Sequence, residues 1–504
     1  MDDHLKPLGN KATAPATLPK EAGAANVPAG LGRRARSGVA WTGLGRLVSA
    51  VVQLGMSIAL ARLLAPEDFG LVALVMAVTG FAVLFVDSGI SSAIVRSEHD
   101  DDELFSTAFW MNMVLGAAVT IVVLAAAPIV AGYFNQPSVT LLLSLAGLSF
   151  TLSFGVVHGA LLQRQLEFKT LSTITVVSTI ANASTAITLA ALGLGAASLV
   201  LGSLAATVAT SVQCWIHTRW RPRFRASWRS AAALWRYTRG LLGFNVVNYW
   251  ARNADSLLIG AFLGVSALGY YSRAYNLMIT PIGQIRAILY TVLFPTLARV
   301  QQNRERTTTV WLAGNKASWL VGAPIAAVLV ATSPALVETL FGSRWLPMAP
   351  VLALLSGSIP AQLMILNCGA LFQTFGRTGL QFRLGLVTSM AAVGGIVVGL
   401  SHGIVGVAAG LLIANWISVW FFVVPALRLA AIRLQVMVRS VAFVTLAAIL
   451  SMGAALVPRF TLYQSHSAIV LAAQLGASAL VYLILIWFGE RDYLIMARGK
   501  RSLT

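Results

Sequence analysis

Four polar side chains recur along one predicted helix of this apolar chain. Asn245, Asn248, Arg252 and Asp255 follow one another at spacings of three, four and three residues. These spacings place all four on one helical face. An arginine can form paired hydrogen bonds with a phosphate, and amides can bind hydroxyl groups. The stripe predicts one wall of a water-filled binding cavity, although Arg252 and Asp255 would also fit a structural ion pair between helices.

Further ionisable residues fall inside segments that are otherwise apolar. Such a charge costs roughly 3 kcal/mol at the centre of a membrane helix unless it is paired or hydrated, so each is a candidate functional residue. Arg273 and Arg286 lie in the next predicted span, and Arg46 and Lys316 lie nearer the cytoplasmic ends of two others. A long side chain near a span end can also reach the interface, which is an open alternative for Arg273, Arg46 and Lys316.

The balance of these charges favours an anionic ligand. With Arg252 there are five bases in the predicted spans, against two acids, Asp87 and Asp255. Arginine stays charged, is cheaper to desolvate than lysine and binds phosphate through two hydrogen bonds. A diphosphate group therefore suits this interior better than an organic cation does. The two acids are candidates for coupling to protons or sodium, and Asp87 would equally fit a structural partner of a neighbouring arginine.

No sequence motif indicates catalysis or a cofactor. The chain has no G-x-x-x-x-G-K-[ST] loop for nucleotide phosphates, and its six histidines and two cysteines are not at metal-ligand spacings. Cys214 and Cys368 lie in predicted spans, where we expect no structural disulfide. We therefore predict a protein that is not an enzyme and that needs no metal or other cofactor.

The elements that must position these residues are membrane helices. Apolar residues make up 57% of the chain and charged residues 11%, whereas a soluble protein carries roughly a quarter charged residues. The sequence therefore predicts an all-α polytopic membrane protein with about 14 spans of the roughly 20 apolar residues that a bilayer requires. The predicted spans lie near 40–63, 70–95, 107–133, 139–162, 170–193, 196–217, 240–263, 270–297, 309–331, 347–373, 379–400, 403–427, 440–457 and 467–489.

Positive charge is distributed unevenly around these spans. The net charge of +19 could suggest nucleic acid, but with a cytoplasmic N-terminus most of the 36 Lys and Arg fall in cytoplasmic tails and loops. That asymmetry predicts two cytoplasmic termini and argues against nucleic acid as a partner. The longest cytoplasmic connection carries seven Arg with Trp220, Trp228 and Trp235, which predicts an interfacial helix on anionic lipid. Positive-inside charge with an aromatic belt is the simpler alternative.

This connection also divides the predicted domains. They are a disordered cytoplasmic tail at 1–36, an N-terminal six-helix bundle at 37–218, a basic cytoplasmic linker at 219–239, a C-terminal six-helix bundle at 240–428, two additional transmembrane helices at 429–490 and a cytoplasmic tail at 491–504.

One stretch in each half matches the other. Ser57–Val72 reads SIALARLLAPEDFGLV, and Ser256–Tyr271, 199 residues later, reads SLLIGAFLGVSALGYY. A polar face repeated inside two apolar halves is expected of a transporter built from internal repeats, and a chance match is the alternative. The upstream polar residues align at the same offset: Arg46, Ser49 and Gln53 with Asn245, Asn248 and Arg252.

The repeat blocks also carry a family resemblance. The run from Asn253 reads NADSLLIGAFLGVSALGYYSRAYNLMITPIGQI, and VLFPTLARVQ follows at Val292–Gln301. With LARLLAPEDFGLVALV and VDSGISSAIV in the first half, these blocks resemble polysaccharide flippases, a branch of the multidrug/oligosaccharidyl-lipid/polysaccharide exporter superfamily. The resemblance covers residues 38–430.

The resemblance implies a mechanism and a site. It implies two six-helix bundles in a V that open alternately to each side of the bacterial inner membrane. The implied substrate is an undecaprenyl-diphosphate-linked oligosaccharide for O-antigen, capsule or exopolysaccharide, with an ion gradient driving turnover. Membrane lipids, a polysaccharide polymerase and export machinery would be the other partners. Arg252, Asp255, Arg273 and Arg286 lie in the matching blocks, whereas Arg46, Asp87 and Lys316 rest on the span argument alone.

The last two predicted spans depart from the twelve-span plan of the family. Lipid II flippases also have fourteen spans and use the extra pair to form a lipid groove. Whether this chain does so is open at the level of sequence.

Two other functions fit parts of the pattern. An ion-coupled small-molecule antiporter of the multidrug type would share the architecture, but cationic drugs would prefer an acidic, aromatic pocket. A membrane-embedded polysaccharide polymerase or ligase would need polar loops outside the membrane, and the predicted outer loops are short.

Overall fold

The computed structural model describes residues 31–86, 91, 94–95, 102–224, 227, 249–250, 253–462 and 466–490. All regular secondary structure in these ranges is helical, which confirms the predicted all-α class. The α-helices are α1 Leu31–Leu63, α2 Pro66–Val86, α3 Asp102–Tyr133, α4 Ser138–Leu152, α5 Val156–Arg164, α6 Phe168–Ala191, α7 Ala196–His217, α8 253–262, α9 Val265–Val300, α10 Arg304–Phe341, α11 Ala349–Ser356, α12 Ile359–Thr374, α13 Thr378–Gly399, α14 Gly403–Ala430, α15 Leu434–Thr461 and α16 Ser467–Gly489.

The chain is a multi-pass membrane protein. Its described residues contain eleven helical segments long and apolar enough to cross a membrane, or up to twelve if the bent pair α4–α5 forms one span. One of these segments, residues 378–430, holds both α13 and α14, which pack against each other through facing glycines. The predicted seventh span is described only in part. The number of fourteen spans therefore stays a prediction.

The predicted span 139–162 is a broken helix. It bends by 47° between α4 and α5. A Cβ added to Gly155 at the break would lie 2.5 Å from Cα of Ser211. The missing side chain of Gly155 therefore lets α7 approach closely. Ser211 Oγ donates to the carbonyl of Leu152 at 2.8 Å. This hydrogen bond satisfies a backbone group that the break frees, as a membrane interior requires.

Most helices pack within an N-terminal set, α1–α7, or a C-terminal set, α8–α14. The main exception is α2, which packs against α9. Helix α1 already begins at Leu31, whereas the sequence placed the end of the disordered tail at residue 36. Residues 1–30 and 491–504 lie outside the described residues, and the domain boundaries stay predictions.

The additional helices α15 and α16 pack against α10. Trp319 Nε1 donates to Thr445 Oγ1 at 2.8 Å, and Tyr482 Oη donates to the carbonyl of Leu320 at 2.7 Å. Hydrogen bonds between membrane helices are each worth about 0.6 kcal/mol on average, so these contacts orient the pair more than they stabilise it.

The start of the basic linker is not the interfacial helix that its composition predicts. Residues 218–224 are not helical, and they lie along the first turns of α3. Trp220 Nε1 donates to Asp102 Oδ1 at 3.1 Å, Arg223 forms a 3.3 Å ion pair with Asp102, and the Arg223 N–H donates to Ser106 Oγ at 3.1 Å. Polar groups at the N-terminus of α3 thus hold this segment extended. Trp228 and Trp235 lie outside the described residues.

The two cysteines are free and buried, as expected from their positions in predicted spans.

Candidate functional site

The two helix sets meet where α2 and α9 begin. Gly70 of α2 and Gly269 of α9 lie at the crossing of the two helices. A Cβ added to Gly70 would lie 1.7 Å from the carbonyl oxygen of Val265, and one added to Gly269 would lie 1.9 Å from that of Pro66. The obstacle in both cases is backbone, so only glycine permits this approach.

The sequence repeat relates the two glycine contacts at this crossing to each other. The offset of 199 residues relates the first residues of α2 and α9 to each other, and it relates the two glycines to each other. Ser266 Oγ donates to Glu67 Oε1 at 2.6 Å across the same offset. Contact between equivalent positions requires a local two-fold axis, as in a symmetric dimer interface. The two repeat blocks therefore form an interface with each other.

Three hydrogen bonds add to this contact between the sets. Arg62 Nη2 donates to the carbonyl of Thr339 at 3.0 Å, and Arg62 Nε donates to that of Leu340 at 3.5 Å. These carbonyls belong to the last turn of α10, where backbone acceptors lack helical partners. Trp345 Nε1 donates to the carbonyl of Ala61 at 2.8 Å. We call this end of the molecule, with the α2–α9 crossing and these three hydrogen bonds, the closed end.

Arg273 bridges the two sets just inside the closed end. It lies eight residues into α9, or about 12 Å along the helix. Its Nη1 donates to Ser57 Oγ of α1 at 3.3 Å, and its Cζ lies 3.8 Å from the centre of the Phe69 ring of α2. Its Nε is buried and makes no hydrogen bond with the described residues. Arg273 is therefore turned inward and held by neutral groups, and it does not reach for the interface.

Asp255 lies on α8 and is 7% exposed. Its Oδ2 accepts a 2.7 Å hydrogen bond from Tyr271 Oη, and its Oδ1 accepts a 2.7 Å bond from the N–H of Ser256. Tyr271 also stacks with Tyr275 at a ring-centre distance of 6.2 Å. The carboxylate thus ties α8 to α9 through a tyrosine. Its predicted pairing with Arg252 stays a prediction, because Arg252 lies outside the described residues.

Beyond Arg273, one face of α9 is polar and exposed. Asn276, Thr280 and Gln284 follow one another at spacings of four residues, and all three are exposed. Polar side chains exposed within a membrane helix are expected to face water, because hydrocarbon cannot satisfy their hydrogen bonds. Sequence reasoning singled out charged residues and missed these three. Their four-residue spacing, three residues after Arg273, was the available signal.

The polar face of α1 meets the polar face of α9. Arg46 and Gln53 of α1 are exposed, and Ser49 is buried. Ser57 continues the same helical face and is the residue to which Arg273 donates. The two polar faces therefore touch at the Ser57–Arg273 hydrogen bond, and beyond it both carry exposed polar side chains.

The other predicted site residues have different positions. Arg286 is exposed on α9. Lys316 of α10 forms a 2.5 Å ion pair with Glu490, the residue after α16, so its ammonium group joins the C-terminal set to the additional helices. Within the described residues, no group of three His, Cys, Asp or Glu could hold a metal ion. The remaining predicted residues lie outside the described residues: Asn245, Asn248, Arg252 and Asp87.

This arrangement can receive an anion. The Arg273 guanidinium has a buried N–H without a hydrogen-bond partner among the described residues, so it has unused capacity for charge-assisted hydrogen bonds. The exposed amides and hydroxyl of α9 can bind neighbouring hydroxyl groups. Arg46 and Arg286 add positive charge on the same two helices.

Known proteins are similar to this chain in sequence and in fold. Residues 59–350 match a family described as polysaccharide biosynthesis protein. The succinoglycan biosynthesis transport protein ExoT of Rhizobium meliloti is 29% identical over 298 residues, which are 59% of this chain and 60% of ExoT. The teichuronic acid biosynthesis protein TuaB of Bacillus subtilis is 23% identical over 479 residues, which are 92% of this chain and 98% of TuaB.

The solved structure of the lipid II flippase MurJ in an inward closed conformation superposes with a TM-score of 0.75. The superposition covers 90% of this chain and 99% of MurJ, at 16% sequence identity. At this identity the likeness establishes a shared fold alone.

Proposed function

Because this chain belongs to the polysaccharide biosynthesis protein family, we propose that it is a flippase for undecaprenyl-diphosphate-linked oligosaccharides in the bacterial inner membrane. It moves these units from the inner to the outer leaflet for surface polysaccharide or exopolysaccharide synthesis. ExoT, a relative, is named a transport protein of succinoglycan biosynthesis, which supports a polysaccharide precursor as the substrate. The single observation that carries the proposal is Arg273, a cation between the two helix sets that only neutral described groups hold.

The proposed orientation makes the closed end the periplasmic end. The positive-inside rule puts both termini in the cytoplasm, so α1 ends and α2 begins on the outer side. The described state is then closed to the outside. In the proposed cycle, the α2–α9 crossing separates as the outer side opens, and Arg273 loses Ser57 and Phe69 as partners.

The diphosphate is the group that Arg273 receives in this cycle. A phosphate offers it paired hydrogen bonds to a charged acceptor, whereas Ser57 offers a single, 3.3 Å hydrogen bond to a neutral hydroxyl. Binding energy that exists in only one state shifts the equilibrium toward that state. Arg46, Arg252 and Arg286 extend the positive field, and Asn245, Asn248, Asn276 and Gln284 bind sugar hydroxyls. Lys316 holds α16 through its ion pair with Glu490, so we assign it a structural role beside the cavity and not contact with the substrate.

Ion coupling is assigned to Asp255 and Asp87. Asp255 holds α8 to α9 through Tyr271, and α9 also carries Arg273. A proton or sodium ion at Asp255 would compete with the tyrosine for the carboxylate oxygens. Loss of that hydrogen bond would loosen α8 from α9 and change the position of the Arg273 side chain relative to the diphosphate. A polysaccharide polymerase and the export machinery are the proposed protein partners.

A multidrug-type antiporter is the second candidate, and one observation favours it. A buried carboxylate beside the stacked rings of Tyr271 and Tyr275 is what an organic cation would use. The cationic residues Arg46, Arg273 and Arg286 on α1 and α9 disfavour a cationic ligand, so we rank this function second.

The experiment that tests the proposal complements a deletion strain with wild-type and variant chains. Arg273→Ala and Arg286→Ala should lower polymer export at least about tenfold, since each removes a charged hydrogen-bond donor. Arg299→Ala, an exposed arginine in the last turn of α9, is the matched control and should export normally. In strains that carry Arg273→Ala or Arg286→Ala, lipid-linked intermediates should accumulate on the cytoplasmic leaflet. Normal polymer in the deletion strain would overturn the flippase and put the antiporter first.

A further inference from the structure

A polar cavity lies between α10 and the additional helices, away from the site described above. It has a volume of about 490 Å³. It lies beside the last turns of α10, on the same side of the molecule as the closed end. Its lining residues are Pro334, Ala335, Glu338, Arg459, His466, Ser467, Val470 and Gln474. A polar cavity between membrane helices is costly unless something fills it and satisfies its polar groups.

The cavity presents donors for an anionic group. Arg459 lies in the last turn of α15, and His466 and Ser467 lie at the start of α16. The side chain of the N-cap residue His466 makes no hydrogen bond to the helix, and the carbonyl of His466 accepts from the N–H groups of Ile469 and Val470. The N–H groups of Ser467 and Ala468 therefore remain for an anion. A helix N-terminus with an adjacent arginine is a favourable setting for a phosphate.

The same cavity presents acceptors on its other walls. Glu338 of α10 supplies an exposed carboxylate. Gln474 is 1% exposed, and its Oε1 is buried with no hydrogen-bond partner among the described residues. A buried carbonyl oxygen left unpaired costs about 1–3 kcal/mol, so this atom calls for a donor that the described chain does not supply. The occupant must therefore donate hydrogen bonds as well as carry negative charge.

We propose that this cavity binds the headgroup of a zwitterionic phospholipid with a primary ammonium, of the phosphoethanolamine type. The phosphate lies against Arg459 and the N-terminus of α16, and the ammonium donates to Glu338 and Gln474 Oε1. A quaternary ammonium cannot donate these bonds and is normally held by the rings of Trp, Tyr or Phe, and none of these is among the described residues of the lining. A purely anionic headgroup would bring its charge against Glu338.

The site is placed to influence the closed end. Glu338 immediately precedes Thr339 and Leu340, whose carbonyls accept from Arg62 of the N-terminal set. An ammonium held by Glu338 fixes the last turn of α10 against α16. The lipid thus links the additional helices to the α10 end that the closed end uses.

The test measures which lipids the purified full-length protein retains in native mass spectrometry. The probes are palmitoyl-oleoyl phosphatidylethanolamine, phosphatidylcholine and phosphatidylglycerol, with matched acyl chains. We expect phosphatidylethanolamine to bind about tenfold more strongly than phosphatidylcholine, the effect of one charge-assisted hydrogen bond. Glu338→Gln should abolish this preference, and Gln474→Leu should reduce it. Glu305→Gln, in the first turn of the same helix, is the matched control and should leave it unchanged.

Arg459→Gln should weaken retention of phosphatidylethanolamine, with Arg439→Gln, an exposed residue of the same helix, as its control. Equal retention of the three lipids, or a preference that survives Glu338→Gln, overturns the proposal. Stronger binding of phosphatidylglycerol that increases in Glu338→Gln would also overturn it, because the cavity would then be an anion site. The thermal stability of each variant is measured beside its lipid retention, so that a variant that has lost its fold is distinguished from one that folds but no longer binds the lipid.

Discussion

The crossing of α2 and α9 leads to the sharpest prediction, because a single methyl group cannot fit there. A Cβ at Gly70 would lie 1.7 Å from the carbonyl oxygen of Val265, and real Cβ contacts are essentially never shorter than 3.0 Å. In Gly70→Ala the two backbones must therefore separate by at least 1.3 Å. Overpacking of this kind costs about 1–3 kcal/mol, which lowers the population of the closed state about 5- to 150-fold relative to the open one.

Disulfide trapping measures that population directly. Glu67→Cys and Ser266→Cys replace two side chains whose oxygens lie 2.6 Å apart, in a chain whose natural Cys214 and Cys368 are changed to alanine. Mild oxidation in membranes should cross-link this pair efficiently. The cross-linked fraction should fall when Gly70→Ala or Gly269→Ala is added.

A matched glycine controls for a general effect of alanine in these helices. Gly283 of α9 has no atom within 4 Å of an added Cβ, so Gly283→Ala should leave cross-linking unchanged. If the closed state belongs to the transport cycle, polymer export should also be lower in Gly70→Ala and Gly269→Ala than in Gly283→Ala. Unchanged cross-linking in both Gly70→Ala and Gly269→Ala would falsify the proposed backbone contact, whatever happens to export.

Three further predictions follow from the described contacts. Arg273→Lys should keep a charge but lose paired phosphate binding, so we expect export between that of wild type and that of Arg273→Ala in the complementation assay. Asp255→Asn should leave folding intact while removing the dependence of export on an ion gradient, measured with ionophores. Tyr271→Phe keeps the carboxylate but removes the hydrogen bond that a bound ion would break, so it should weaken the same dependence. Lys316→Ala should lower the free energy of unfolding by about 3 kcal/mol, because it leaves the buried carboxylate of Glu490 without its ion-pair partner among the described residues. The double variant with Glu490→Gln should recover part of that loss, and additive losses in thermal unfolding would contradict the pairing.

Composition and periodicity were enough to predict the class of the fold. Long apolar runs in a chain with few charges favour helices, which satisfy the hydrogen bonds of the backbone in a membrane, and all regular secondary structure among the described residues is helical. The repeat blocks were also visible in the sequence, because a helix crossing that needs Gly70 in one half needs Gly269 in the other. What the repeat did not reveal is that its two copies touch each other.

The breaks within spans could not be predicted in the same way. Apolar residues continue through residues 139–162, so hydrophobicity alone indicates one helix. The interruption before Gly155 depends on Ser211, which occupies the space and satisfies the carbonyl of Leu152. That partner lies 59 residues away from Leu152, and no local pattern identifies it.

The directions of the charged side chains were the second feature that could not be predicted from the sequence. From sequence, Arg273 and Lys316 both fit long side chains that reach the membrane surface. The structure separates them: Arg273 turns inward to Ser57, 216 residues away, and Lys316 pairs with Glu490 at the end of α16. In each case a partner remote in the sequence decides the direction, so a charge inside a span indicates a polar environment and does not specify its partner.

The local two-fold axis at the crossing explains why Arg273 has no counterpart in the first half. The repeat places Leu74 of α2 at the equivalent position, and Leu74 is fully buried. Near the axis, two arginines at equivalent positions would face each other as like charges. One arginine can instead lie over Phe69 and donate to Ser57, both in the other half. The backbone contact can be symmetric because glycine is neutral and small, whereas a single binding site for one diphosphate requires the symmetry to be broken in the side chains just inside it.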